Sequence, residues 1–269
     1  MIHPPPPRTG RRATRTGAAP TLTVSTLTVL ALTVLTGCAA VAPGTLTSAD
    51  ALTAAPSAAP TAPPTAPPAV VPTGDGVLRI GTIFPMTGDF AANGAAQVAG
   101  TQLAAREIAE QGGVPGHTVE LIHRNVGADP AVAVADLLAR GVDVVFWDAA
   151  TTPSDELAAS VTGAGPAFLA LGDFANGGTP LGVDAAFATR LRTADPALIK
   201  TAGAAEAYDG LVVTALAAVA VNDDAAASLE VGWDRVAHGP AGCASWGECA
   251  LALAENQSVE YVGVTGRRS

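Results

Sequence analysis

Residues 77–147 read VLRIGTIFPMTGDFAANGAAQVAGTQLAAREIAEQGGVPGHTVELIHRNVGADPAVAVADLLARGVDVVFW. Three short apolar runs, Val77–Pro85, Val119–Arg124 and Val142–Trp147, alternate here with two stretches of helix length. Strands and helices in that alternation build a parallel sheet with helices on both faces, a doubly wound α/β fold of three layers. Ligands of such sheets sit in the crevice at the carboxyl ends of the strands. The loops that matter are therefore Phe84-Pro85-Met86-Thr87-Gly88-Asp89, after the first run, and Asp148-Ala149-Ala150-Thr151-Thr152-Pro153, after the third.

Working outward, Gly94 opens a helix over Ala95–Gln111 with Val98, Thr101, Ala105 and Ile108 on one face, and Gly112-Gly113 ends it. Asp129-Pro130 supplies an N-cap and an N1 proline for a helix over Ala131–Arg140. Thr152-Pro153 repeats that start for a helix over Ser154–Val161, and Ala167–Leu171 is a fourth strand. Hydrophobic residues make up 49% of the chain but aromatics only 4%. The apolar content is thus largely alanine, which predicts helices packed closely through Ala–Gly contacts.

Upstream, Arg8, Arg11, Arg12 and Arg15 precede an apolar run, Leu22–Leu35, of signal-peptide length. A membrane span needs about 20 residues, more than this run supplies. It ends in Leu35-Thr36-Gly37-Cys38, similar to the lipobox of bacterial lipoproteins, whose cysteine is acylated and becomes the new N-terminus. Residues 1–37 are read as a lipoprotein signal peptide and Cys38 as the lipidation site. Residues 38–76 are read as a disordered tether, since APSAAPTAPPTAPPAVVP (Ala55–Pro72) has no periodicity and favours extended polyproline II. These features place the protein outside the cytoplasm, held to the membrane by its lipid. Four of the 14 basic residues lie before Cys38 and none of the 24 acidic ones does, so the remainder carries a formal charge of −14. So acidic a surface excludes a nucleic-acid partner.

The stretch Ile80–Phe146 resembles the N-terminal lobe of the branched-chain amino-acid-binding (leucine-binding-like) proteins. These are type I periplasmic solute-binding proteins of ABC importers. The resemblance rests on Pro85, Thr87 and Gly88, the small-residue helix, Gly112-Gly113 and Asp129-Pro130. Two later stretches continue it: Ala205-Glu206-Ala207-Tyr208-Asp209-Gly210, like the helix that returns to the first lobe, and Tyr261-Val262-Gly263-Val264-Thr265-Gly266, like the turn after it. The family interposes a second lobe before that returning helix. Here only Asn176-Gly177-Gly178-Thr179-Pro180 and a few neighbours separate Leu171-Gly172-Asp173 from Phe187-Ala188-Thr189-Arg190. Residues 77–269 are therefore expected to form one lobe, the opposing one being absent.

The resemblance implies a ligand held at Thr151 and Thr152, where hydroxyls and helix-terminal amides receive an α-carboxylate. Thr152 has the alternative of simply capping its helix. Asp173 either meets an ammonium group or is a solvated loop residue, and Thr87 either joins the site or only shapes its turn. The implied partners are a small amino-acid-like solute and an ABC permease, with a homodimer as the arrangement in which a second copy supplies the missing wall. A second reading is a surface lipoprotein that no longer binds solute and serves protein contacts. His117, His123 and His238 lack metal-ligand spacing and no hydrolase or nucleotide motif occurs, so neither an enzyme, a metal nor a cofactor is expected. Cys243 and Cys249, in an exported chain, are expected to form a disulfide.

Overall fold

The computed structural model describes residues 74–174 and 182–267. The expectations for the signal peptide, Cys38 and the tether up to residue 73 lie outside them. Four parallel strands form the main sheet: β1 (Val77–Phe84), β2 (Thr118–Asn125), β3 (Val144–Trp147) and β4 (Ala167–Ala170), in the order β2-β1-β3-β4. Helices α1 (Ala91–Glu110), α2 (Pro130–Ala139) and α3 (Asp155–Gly163) make the crossovers. A 3-10 turn, Leu171–Phe174, follows β4; after it come α4 (Ala185–Ala194), α5 (Ala204–Val221) and α6 (Ala226–Ala237). The chain then adds β5 (Ala241–Cys243), α7 (Trp246–Ala254), β6 (Val259–Gly263) and β7 (Gly266–Arg267), whose strands form a second, three-stranded sheet. The doubly wound α/β lobe is thus present, and the small sheet is an addition that periodicity did not announce.

Strand alternation divides the core in two. Leu78, Ile80, Phe84, Val144 and Phe146 point to the side of α1 and α5, while Ile83, Ile122, Val145 and Trp147 point to α2 and α3. Helix α5 is long and apolar enough to cross a membrane, but it is buried within this domain as its central helix. It is sealed on both sides through glycine. A methyl on Gly100 of α1 would stand 2.3 Å from the Ala204 carbonyl oxygen, and one on Gly232 of α6 would stand 2.5 Å from that of Ala217. The alanine-rich composition thus appears as helices in backbone contact.

Several boundaries shift. Helix α1 begins one turn before Gly94, whose Cα instead packs on the Pro85 carbonyl: a methyl there would lie 2.1 Å from that oxygen. Its buried face is Gln97, Gly100, Thr101, Ala104 and Ile108, leaving Val98 and Ala105 half-exposed at its margin. Asp129 does cap α2, accepting from the Ala131 amide at 3.0 Å. Helix α3 is capped by Ser154, whose Oγ accepts from the Leu157 amide at 3.2 Å, and not by Thr152. Pro153 thus precedes the cap and does not occupy the first helical turn.

Two distant stretches quoted above meet at one carboxylate. Asp209, buried in α5, accepts from the Tyr261 hydroxyl (2.8 Å), the Val264 amide (3.1 Å), and both the amide (2.7 Å) and hydroxyl (2.6 Å) of Thr265. It therefore holds the β6–β7 turn onto the helix. Burial raises its pKa, against the opposing effect of those bonds. A disulfide joins Cys243 to Cys249 with their Cα atoms 5.3 Å apart, tying β5 to α7.

Candidate functional site

Thr87, Thr151, Thr152 and Asp173 all lie in turns at the carboxyl ends of β1, β3 and β4. The turns after β3 and β4 touch, since a methyl on Gly172 would meet the Ala149 carbonyl oxygen at 3.4 Å. This end of the sheet also holds its topological switch, where β1 stands between β2 and β3.

Beneath these turns lies a buried polar bridge absent from the sequence reading. Gln97, fully buried on α1, donates from Nε2 to Asp148 Oδ1 at 2.6 Å and accepts on Oε1 from the Ala149 amide at 2.9 Å. Asp148, equally shielded, receives the Thr151 hydroxyl on its other oxygen at 2.9 Å. The Trp147 indole N–H is shared between the Thr151 hydroxyl and carbonyl oxygens, both at 3.1 Å. The post-β3 turn is thereby fixed from below. A glutamine among small residues on a helix's buried face was the available signal, but it identified no partner.

This geometry changes the offer each candidate makes. Thr151 has one hydroxyl hydrogen and spends it on Asp148, so an incoming carboxylate receives no hydrogen from that side chain. Thr152, released from capping, is exposed, and its hydroxyl makes no hydrogen bond among the described residues. Asp173 is exposed in the 3-10 turn after β4. The Thr87 hydroxyl accepts from Asn125 Nδ2 at 2.9 Å while Asn125 Oδ1 accepts from the Met86 amide at 2.8 Å, so the Asn125 side chain clamps the post-β1 turn. Trp147 and Phe174 are buried in the core.

A cavity of about 430 Å³ opens at the same end, between the first turns of α2 and α3. Trp147 and Leu157 line it with Pro130 and Glu156, but none of the four candidates does. A wider cleft of about 570 Å³ lies on the small sheet between Cys243 and Leu251, where Glu248, Glu255 and Gln257 join its apolar walls, and it includes none of the four candidates. Among the described residues no three acidic, histidine or cysteine side chains converge to hold a metal ion.

The profile of the periplasmic binding protein family matches residues 77–237, which is more than half the chain and takes in every candidate residue. The chain belongs to the periplasmic binding protein family. Among solved structures, the branched-chain amino acid transporter substrate-binding protein LivJ of Streptococcus pneumoniae, determined with isoleucine, is 29% identical. That match covers 34% of this chain and 28% of LivJ, with a TM-score of 0.27. A fatty acid ABC transporter substrate-binding protein from Thermomonospora curvata is 12% identical over 61% of this chain and 82% of its own, with a TM-score of 0.42. No curated protein matches the chain.

Proposed function

We propose that this family member is a lipid-anchored, extracytoplasmic solute-binding protein of an ABC importer, for a branched-chain amino acid or a related small solute, working with about one lobe. Membership in the periplasmic binding protein family supports binding, and not catalysis, as its task. The division is 1–37 as lipoprotein signal peptide, 38–76 as tether and 77–269 as the lobe. Cys38 carries the lipid, and an ABC permease receives the solute. The observation that carries the reading is that Thr152 and Asp173 stand exposed on adjoining turns after β3 and β4, with Thr151 fixing the first of them from below. Support for a single lobe comes from the interior of the chain: residues 175–184 alone connect the turn after β4 to α4, and residues 195–203 connect α4 to α5.

One lobe leaves a bound amino acid half-wet, where a good pocket buries about 70–90% of its ligand. Millimolar binding requires about 4 kcal/mol and micromolar about 8. A carboxylate on Thr152 and the neighbouring amides, with an ammonium on Asp173, reaches only the smaller figure. Calorimetry with leucine, isoleucine and valine is therefore expected to give millimolar constants for the monomer, weakened about tenfold by Asp173→Ala. Micromolar binding that requires a dimer in solution would assign the missing wall to a second copy. Micromolar binding by a proven monomer, or millimolar binding indifferent to Asp173→Ala, would defeat the assignment. Cys38→Ser should abolish fatty-acid labelling and membrane retention of the wild type.

A second reading, a surface lipoprotein kept for protein contacts, draws on one observation. The Gln97–Asp148–Thr151 bridge is satisfied internally, and the cavity between α2 and α3 at this end of the sheet is lined by none of the four candidates.

A further inference from the structure

The charged residues around the cavity between α2 and α3 share one sign. Asp129, at the start of α2, and Glu156, in the first turn of α3, border it as exposed carboxylates. Trp147, Leu157 and Pro130 supply its apolar wall. Ser160, also on the wall, spends its hydroxyl hydrogen on the Leu157 carbonyl at 2.7 Å, which leaves its oxygen as an acceptor. Among the described residues no lysine, arginine or histidine lines the cavity. Arg124 on β2 and Arg140 at the end of α2 are both engaged by Asp136.

The aromatic part of the wall is held in place. Both Thr151 oxygens receive the Trp147 indole N–H at 3.1 Å, and Asp148 and Gln97 fix Thr151 in turn. With its polar edge satisfied, the indole has only its ring surface to offer a ligand. Two helix N-termini also border the cavity, and alone they would favour an anion, each acting as roughly half a positive elementary charge. Two full carboxylate charges exceed that. Asp129 and Ser154 moreover already occupy the Ala131 and Leu157 amides. The balance favours a cation.

We propose that this cavity binds a small organic ammonium ion with an apolar body, such as a branched alkylamine, between Asp129 and Glu156 and against Trp147. The ammonium group answers both carboxylates, donates to the Ser160 oxygen and gains cation–π attraction from the indole. The alkyl body covers Leu157 and Pro130. A volume of about 430 Å³ lies within the range of small-molecule sites. A free amino acid is disfavoured here, because its own carboxylate would face two more of the same sign. The site is therefore separate from the turns carrying Thr152 and Asp173, and it does not rest on the function proposed for them.

The test follows the indole N–H signals of the three tryptophans in the isotope-labelled full chain as isopentylamine is added at neutral pH and low salt. Trp147→Phe identifies the signal that belongs to the cavity. That signal should move saturably with a millimolar midpoint, while those of Trp233 and Trp246 stay in place. Glu156→Gln, on an exposed residue that caps nothing, should raise the midpoint about tenfold. Asp129→Asn, which keeps a capping side chain, should raise it similarly, and added salt should raise it in the wild type. Isopentyl alcohol, of the same shape without the charge, should leave the signal where it is. A Trp147 signal that ignores isopentylamine, or follows the alcohol equally well, overturns the proposal. So does a midpoint unchanged by Glu156→Gln and Asp129→Asn together. A midpoint that moves with Asp173→Ala instead would place the amine at the turns after β3 and β4, and would equally overturn it. None of these results decides leucine binding at those turns, which calorimetry reads separately.

Discussion

The two faces of the main sheet are built on different principles. On one side α2 and α3 cover a small core, Ile83, Ile122, Val134, Leu137, Val145, Trp147 and Val161, by side-chain packing of the usual kind. On the other, α1, α5 and α6 approach through Gly100 and Gly232 until backbone meets backbone. The first face is sensitive to what is removed and the second to what is added.

The largest expected effect is on the first face. Leu137→Ala, at a fully buried side chain, should destabilise by about 3 kcal/mol, read as a lower denaturation midpoint at unchanged m-value. Next comes Gly100→Ala. Helix propensity favours alanine by about 1 kcal/mol, whereas forcing a methyl onto the Ala204 carbonyl costs about 3, so the net loss should be about 2 kcal/mol. A neutral result would show that α1 and α5 slide apart freely, and the contrast between the faces would fail. Gly163→Ala is the control on the first face: this glycine ends α3 with nothing within 4 Å of a new methyl, so a gain of about 0.5–1 kcal/mol is expected.

The smallest effect concerns charge at the outer layer of the second face. Arg190 on α4 grips Glu107 on α1 through two bonds of 2.9 and 2.6 Å and stacks on the rings of Phe187 and Tyr208. Burial works against the Glu107 carboxylate, but bonds from Arg190 and the Tyr208 hydroxyl prevail and hold its pKa below the usual 4.5. A carboxyl lowered on folding stabilises above its unfolded value, and that contribution disappears as pH falls through the folded one. Tm should therefore decline from about pH 4.5 downward, less steeply in Glu107→Gln. Identical slopes would remove α4 from the account of this face.

What was legible in the chain followed from local chemistry. Strand alternation, the Asp129-Pro130 start and the Gly112-Gly113 stop fix β1 to β3 and the helices between them, because each depends on residues within one turn. The candidate turns were legible for the same reason: a loop after a parallel strand lies at the carboxyl end wherever the strand sits. The roles of Thr151 and Thr152 were not, since they depend on Gln97, about fifty residues earlier, and on Ser154 taking the cap. Nor was the meeting of Asp209 with Val264 and Thr265, which no periodicity encodes. The small sheet escaped because β5 and β7 are too short to show alternation.

The position of Gly74 has a consequence for how the domain is presented. Gly74 is fastened at the amino ends of the strands, whereas Thr152 and Asp173 stand at the carboxyl ends, a strand length of about 26 Å away. The chain therefore enters the lobe at the amino ends of the strands, at the end of the sheet away from Thr152 and Asp173. A diffusing solute, or a second protein, can thus meet those two side chains without passing the point at which the described chain enters the lobe.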